Sequence, residues 1–596
     1  MAWSKNWDMT SYFPEFGGAA YQTHLQELQR SMEQLETDSK AAGRMATDNL
    51  DAWVELFLLN EKIMGDFSHV ASYVGCLASA EVGNEAYKQA EAQISKFGAI
   101  YSKSLATIVD ALKAVDDATF DALLRRPELE GAGFFKLRMR QNAIKTMSPE
   151  QEVLTAELGV DGMSAWGRLY SETSGRLRFD LPGADQPTPM SMKVSLLESP
   201  DAAVRKAVLE NSNAAWDEVS YVTAAALNAI AGTRLTLYGK RGYDGFLEKP
   251  LHDAAVSAET LDAMWGAVEV NRTVAWSYLK KKAELLGKPA LGFEDLSCPL
   301  PQGAEKKCSW DEGVDLVLSA FNARYPALGE FAESMIANNR VESEQRTGKR
   351  PGAYCSGTLK NRESRVFMNY GGGLGDISTL AHELGHAFHN FVMKDKRPMA
   401  ARFPMTLAET ASTFAERILQ NELLENPAAS KAEKLQVLTT RLNDAAVFLC
   451  NIHMRFVFEK AFYTERQQGE VSVSRLKELM LQAQRQCYGD ALDPESLDPM
   501  FWASKMHFYI TGVSFYNFPY TFGYLFSLGL AADVGQHGAD GMRQYEELLK
   551  LTGTDTCEGV AQRALGIDLA SGEFWERAID PIRDDYELFQ QLLDDE

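Results

Sequence analysis

Residues 382–386 read His-Glu-Leu-Gly-His. Two imidazoles four residues apart on a helix lie on one face, about 40° apart around the axis, so one metal ion reaches both rings. Glu383 sits about 100° round from His382, within reach of a water on that ion but poorly aimed to bind the ion itself. This is the HExxH pattern of zinc peptidases, two ligands and a general base. With nine His in 596 residues, chance produces it in roughly one such chain in a hundred. The surroundings of the motif have to carry the rest.

A catalytic zinc takes three protein ligands and leaves a position for water. The motif helix cannot fold back on itself, so the third ligand comes from another element. Pro398 and Pro404 follow the motif, and a new helical pattern starts near Thr406. Glu409 falls on its first turn. Glu416 lies seven residues further, on nearly the same face but about 10 Å along the axis, so only one of the two can join the ion. Small neighbours (Ala408, Ala411, Ser412) favour Glu409, because they let this helix pack closely on the motif helix. A solvent-exposed helical Glu is the ordinary alternative. His389 is about 10.5 Å along the helix from His382, too far to share its ion, and is expected to be structural or to support a ligand.

The elements that position these groups are mostly helices. Leu25, Leu28, Met32 and Leu35 recur at spacings of three and four within 19–45, as on an amphipathic helix, and the texture repeats through 48–65, 84–114 and 117–125. Residues 176–183 alternate and end in a turn signal, which predicts a strand. Two further short strands, 351–358 and 364–370, are expected to pair as a small sheet, the second with an edge free to hold an extended peptide. Gly371–Gly375 leads into the motif helix, with Asp376 as its N-cap. From 405 onward the pattern is almost wholly helical. The expected fold is mainly α, with a small β-sheet next to the HExxH helix. Three regions are expected: an N-terminal helical lobe at 1–130, a connecting region with strands at 131–200, and a catalytic zinc metallopeptidase domain at 201–596.

Bulk properties narrow the class. At 66.2 kDa the chain exceeds the size at which one core stops growing. A net charge of -23 argues against nucleic acid or an anionic membrane as partner. Seven Cys with no CxxC pair argue against a disulfide framework and a cysteine zinc site, and for a reducing compartment. Cys298 and Cys308 are expected as free thiols. No apolar run approaches 18 residues and the N-terminus has no signal-peptide pattern, so a cytoplasmic protein without a membrane span is expected.

His382–His389, with Glu409 followed by Thr-Ala-Ser-Thr, resembles the thimet oligopeptidase family of zinc peptidases, and more closely its oligoendopeptidase F branch. Trp7–Pro14, Phe367–Gly372 and Phe515–Tyr520 are similar to that branch too, so the resemblance spans the chain. It implies that Glu409 is the third ligand of one Zn2+ ion. It implies two helical lobes around a deep substrate channel, and cleavage of internal bonds in short oligopeptides. It also implies that His507, Tyr516 and Tyr520, with Tyr524 behind them, supply groups that stabilise the developing oxyanion. For such an aromatic run a buried core helix is the ordinary reading, but Gly512 and Pro519 break it. Two rivals stand beside this function. One is an exopeptidase, dipeptidyl or carboxypeptidase, which needs a charged clamp for a peptide terminus. The other is a non-catalytic peptide-binding protein.

Overall fold

The three- and four-residue spacing of Leu25, Leu28, Met32 and Leu35 becomes one helix, Ala19–Ala42, with all four side chains buried. A computed structural model describes this and the other residues from 3–301 and 307–594. The next helix, Leu50–Ala80, is apolar on most of its circumference and buries Trp53, Phe57, Ile63 and Val70. Asn84 caps the following helix by accepting from the Ala86 and Tyr87 amides. Helices continue through most of the chain, and the fold is mainly α with two small sheets.

The chain divides into two units, each assembled from three separated stretches. One comprises Met1–Thr146, Glu305–Glu425 and Leu530–Ile567; the other comprises Met147–Ala304, Asn426–Gly529 and Asp568–Glu596. In the second unit the stretch read as a strand at 176–183 yields only β1 (Arg178–Phe179), paired antiparallel with β2 (Thr188–Pro189). Its principal helices include Ser220–Lys240 and Ile452–Arg466.

The first unit carries the sheet beside the motif. Its strands are β3 (Val341–Glu342), β4 (Tyr354–Gly357) and β5 (Ser364–Phe367), in the order β3-β5-β4. β4 and β5 pair antiparallel, as expected, with Tyr354 opposite Phe367 and Gly357 opposite Ser364. The edge is not where the sequence reading put it. β5 lies in the middle and all four of its residues are buried, whereas β4 is the partly exposed outer strand. Ser-Arg-Val-Phe is a central strand because β3 pairs along its other side.

The motif helix runs Leu374–Val392. Its N-cap is Gly373, not Asp376. Asp376 sits inside the first turn, where its Oδ2 accepts from the amides of Gly371 (2.9 Å) and Gly373 (3.1 Å) and satisfies donors the helix leaves open. Gly372 has a left-handed φ of 92°, and a Cβ there would lie 2.7 Å from the Cys308 carbonyl oxygen. The following helix, Thr410–Glu425, packs against the motif helix. At Gly385 the two backbones come close: a Cβ would lie 2.5 Å from the Ala411 carbonyl oxygen and 2.6 Å from Ser412 Cα. Glycine at the motif's fourth position is therefore a packing requirement between two backbones. All seven cysteines are free. Among the described residues no helix is long and apolar enough to cross a membrane.

Candidate metal centre

The contact at Gly385 brings the start of the second helix to the histidine face of the first. Glu409 directly precedes that helix, and its carbonyl accepts from the Thr413 amide as the helix begins. Its Oε2 lies 3.3 Å from His382 Nε2 and 3.4 Å from His386 Nε2. The two imidazoles stand nearly perpendicular, with centroids 4.8 Å apart. One donor atom from each of His382, His386 and Glu409 falls within 4.8 Å of the others, and no second group of this kind occurs among the described residues.

Glu416 takes a different position. Its Oε1 is 3.6 Å from His382 Nδ1, on the far side of the ring from Glu409, and accepts from Ser378 Oγ at 3.3 Å. A carboxylate on Nδ1 fixes the ring and leaves Nε2 to face a metal. Ser412 Oγ in turn donates to Glu409 Oε2 at 2.9 Å. Burial alone would depress the His382 imidazole, yet the carboxylates of Glu409 and Glu416 hold it well above its ordinary value. Burial likewise opposes ionisation of Glu409, and hydrogen bonds from the two imidazoles outweigh it, so that its carboxyl stays far below the usual range. Two imidazole nitrogens and one ionised carboxylate, with positive charge drawn to their midst, are the donor set of a three-ligand zinc site with an open position. The residues fit the ion.

Glu383 is buried at 6 % exposure, and its Oε2 has no hydrogen-bond partner. Burial raises its carboxyl above the ordinary value; the neighbouring histidines oppose that. Glu383 and the three donors line one cavity of about 500 Å³, whose wall also includes Tyr354 and Cys355 of β4. His389 lies outside the constellation, as its helical distance required. It is fully buried, stacks on Phe403 at 4.2 Å, and its Nε2 is 2.9 Å from Thr552 Oγ1. Burial, helped by the nearby His386, lowers its imidazole to about 3 and keeps it neutral.

His507, Tyr516 and Tyr520 belong to the second unit and lie together there. Ring centroids are 5.7 Å apart for His507 and Tyr516, 5.4 Å for Tyr516 and Tyr520, and 6.4 Å for His507 and Tyr520. His507 sits on the 3-10 turn Met506–Tyr509, and its Nδ1 is buried with no partner. Burial, with Lys505 and Arg455 nearby, lowers it to about 4, so the ring is neutral at pH 7. Tyr524 is buried against Phe448, centroids 4.3 Å apart, and packs in the core. Pro519 lies in the first turn of Phe518–Leu551, where a missing amide costs nothing.

Two buried polar side chains, Arg234 and Glu459, hold the loop between these residues. Arg234 Nη2 donates to the carbonyls of Ile510 (2.8 Å), Thr511 (3.1 Å) and Val513 (2.8 Å). Glu459 accepts from the Phe515 amide at 2.8 Å and from Asn517 Nδ2 at 2.7 Å. Phe515 has a left-handed φ of 54°, unfavourable for a bulky side chain, and the Glu459 bond secures it. Sequence reasoning missed Arg234, Glu459 and the supporting role of Glu416. The available signal was a charge among apolar neighbours for Arg234, in an Ala-rich helix; Glu459, next to Lys460 and one turn from Arg455, gave none.

The sequence profile described as Peptidase family M3 matches residues 319–581, and the one described as Oligopeptidase F matches residues 112–179. The oligopeptidase PepF of Bacillus subtilis is 22% identical over 579 residues, covering 96% of this chain and 84% of that protein. The group B oligopeptidase PepB of Streptococcus agalactiae is 22% identical over 592 residues, covering 96% of this chain and 94% of that one. The crystal structure of oligoendopeptidase-F from Enterococcus faecium shares the fold, with a TM-score of 0.70 at 19% identity over 97% of this chain and 100% of that one.

Proposed function

Because the chain belongs to peptidase family M3, in its oligoendopeptidase F branch, and is a peptidase, we propose that it is a zinc endopeptidase cutting internal bonds of short oligopeptides. The observation that carries the reading is the cavity in which three metal donors converge beside the buried, unpartnered Oε2 of Glu383. His382 and His386 through Nε2, and Glu409 through Oε2, would hold the ion. A bound zinc supplies Lewis acidity, lowering the pKa of a water and drawing charge from a carbonyl oxygen.

The chain's own groups do the rest. Glu383 takes the proton of the attacking water and delivers it to the leaving nitrogen. Its raised pKa suits a group that must accept a proton and then release it. Glu416 on Nδ1 keeps His382 in one orientation. On the family resemblance, His507, Tyr516 and Tyr520 donate hydrogen bonds to the oxygen as it gains charge. The outer edge of β4 offers backbone donors and acceptors to an extended peptide; that mode reads main chain more than side chains and suits short peptides of varied sequence.

Mass spectrometry of products from peptides of graded length, blocked at both ends, tests this. Internal cleavage of the blocked peptides is expected. Trimming of free-ended peptides with the blocked ones left intact would overturn endopeptidase action.

A further inference from the structure

The cavity wall holds one Lys or Arg side chain, that of Arg362. This residue sits in the turn between β4 and β5 with a left-handed φ of 56°. It is half-buried, and its guanidinium donates from Nη2 to the Lys396 carbonyl. A guanidinium carries five N–H donors in a fork matched to a carboxylate. Arg362 forms no ion pair among the described residues, although the chain as a whole is strongly acidic. The other cations of the same hairpin are satisfied: Lys360 pairs with Asp66 at 2.6 Å and Arg365 with Glu363 at 3.1 Å. Glu61, an anion that Arg362 senses, is bound by Arg397 and by the Met399 amide. Asp395, the other, makes no pair with it and is exposed. Burial pulls the Arg362 guanidinium below its ordinary value, as befits a desolvated cation lacking an adjacent anion.

The turn that carries Arg362 is held firmly. The Arg362 amide donates to the Thr358 carbonyl at 3.1 Å, the Leu359 amide to Ser68 Oγ at 2.9 Å, and Asn361 Nδ2 to the Ser11 carbonyl at 3.1 Å. The guanidinium is thus presented from a rigid support. An equidimensional cavity of this volume is about 10 Å across, the span of about three extended residues. A carboxylate one to three residues from the scissile bond falls within its reach.

We propose that Arg362 is a substrate-binding residue that takes a carboxylate of the peptide, either its C-terminal carboxylate or an acidic side chain, inside the catalytic cavity. This rests on the peptidase reading of the same site and adds a preference to it. The expected gain is about tenfold in affinity for a peptide that carries the carboxylate, the scale of one charge-assisted hydrogen-bonded pair.

The test uses the full-length zinc-loaded chain as Glu383→Gln, so that peptides persist, and reads fluorescence anisotropy. Three labelled peptides share one neutral sequence: a free C-terminal acid, the C-terminal amide, and the amide with one glutamate introduced. With Arg362 intact, the free acid or the glutamate peptide should bind about tenfold tighter than the neutral amide, and which one does identifies the source of the carboxylate. Arg362→Asn removes the cation while tolerating the left-handed backbone, and should bring the ratio to within twofold; Arg362→Lys should keep part of it. Equal binding of all three peptides with Arg362 intact, or an unchanged ratio in Arg362→Asn, would overturn the proposal. Cleavage by the wild-type chain separates the two claims. If the neutral amide is cut but no preference exists, Arg362 falls and the peptidase reading stands. If the preference exists and none of the three is cut, Arg362 stands and the hydrolytic reading of the site falls.

Discussion

His382, His386 and Glu409 are held by two regular helices whose backbones touch at Gly385, whereas His507 and Tyr516 ride on a short turn and an irregular loop pinned by Arg234 and Glu459. In the first region helical periodicity does the positioning, and side chains four apart arrive on one face. In the second, a strained Phe515 and a run of carbonyls outside regular structure are held by two buried polar side chains, Arg234 and Glu459, brought from helices distant in sequence. The lesson is that a rigid constellation can be built either from periodic backbone or from buried polar side chains that saturate an aperiodic one. The two should fail differently when perturbed.

The sharpest difference is expected at Glu383. Glu383→Gln keeps the shape of the side chain and leaves the metal donors alone, so zinc content should be unchanged while turnover of a quenched peptide falls roughly a hundredfold to ten-thousandfold. A near wild-type rate would remove Glu383 from the chemistry.

The loop region should answer to pH through one buried carboxyl, that of Glu459. Burial raises the Glu459 carboxyl to about 7 from 4.5, opposed by the Phe515 amide, Arg234 and Asn517. Its protonated form is therefore favoured by folding. That contribution is complete below the unfolded value and is lost as pH rises through the folded one. Between pH 4 and pH 8 the wild type should lose stability relative to the non-titrating Glu459→Gln by on the order of 3 kcal/mol. Parallel thermal midpoints of the two proteins across that range would contradict the assignment.

Gly385→Ala tests the helix contact itself. The added methyl meets backbone at Ala411 and Ser412, which cannot turn aside as a side chain can. A cost of about 1–3 kcal/mol is expected, read as a lower thermal midpoint that added zinc only partly restores. Smaller still is Glu416→Gln, which keeps the three donors and loosens one ring; zinc affinity should fall roughly tenfold to a hundredfold, measured by competition with a chelator.

The same contrast explains what the sequence disclosed. The helix Ala19–Ala42 and the pairing of His382 with His386 follow from periodicity that any reader of the chain can count. The choice between Glu409 and Glu416 does not, because both lie on one helical face; the backbone approach at Gly385 brings Glu409 to Nε2 and leaves Glu416 on Nδ1. The central position of β5 depends on β3, two residues long and too short to carry a pattern. Arg362 was silent for a related reason. Its proposed role depends on which cations of the hairpin find carboxylates; Glu363, the partner of Arg365, is two residues away, but Asp66, the partner of Lys360, is hundreds of residues away. Arg234 was legible only as a charge out of keeping with its Ala-rich helix, and Glu459, between Phe458 and Lys460, was not legible at all.

The proposed activity needs His382, His386 and Glu409 to share one ion. Zinc stoichiometry of the purified full-length chain, compared with that of Glu409→Ala, tests it most directly. One zinc per wild-type chain and its loss from the variant are predicted; a variant that holds as much zinc as the wild type would contradict the assignment and move the third ligand away from Glu409.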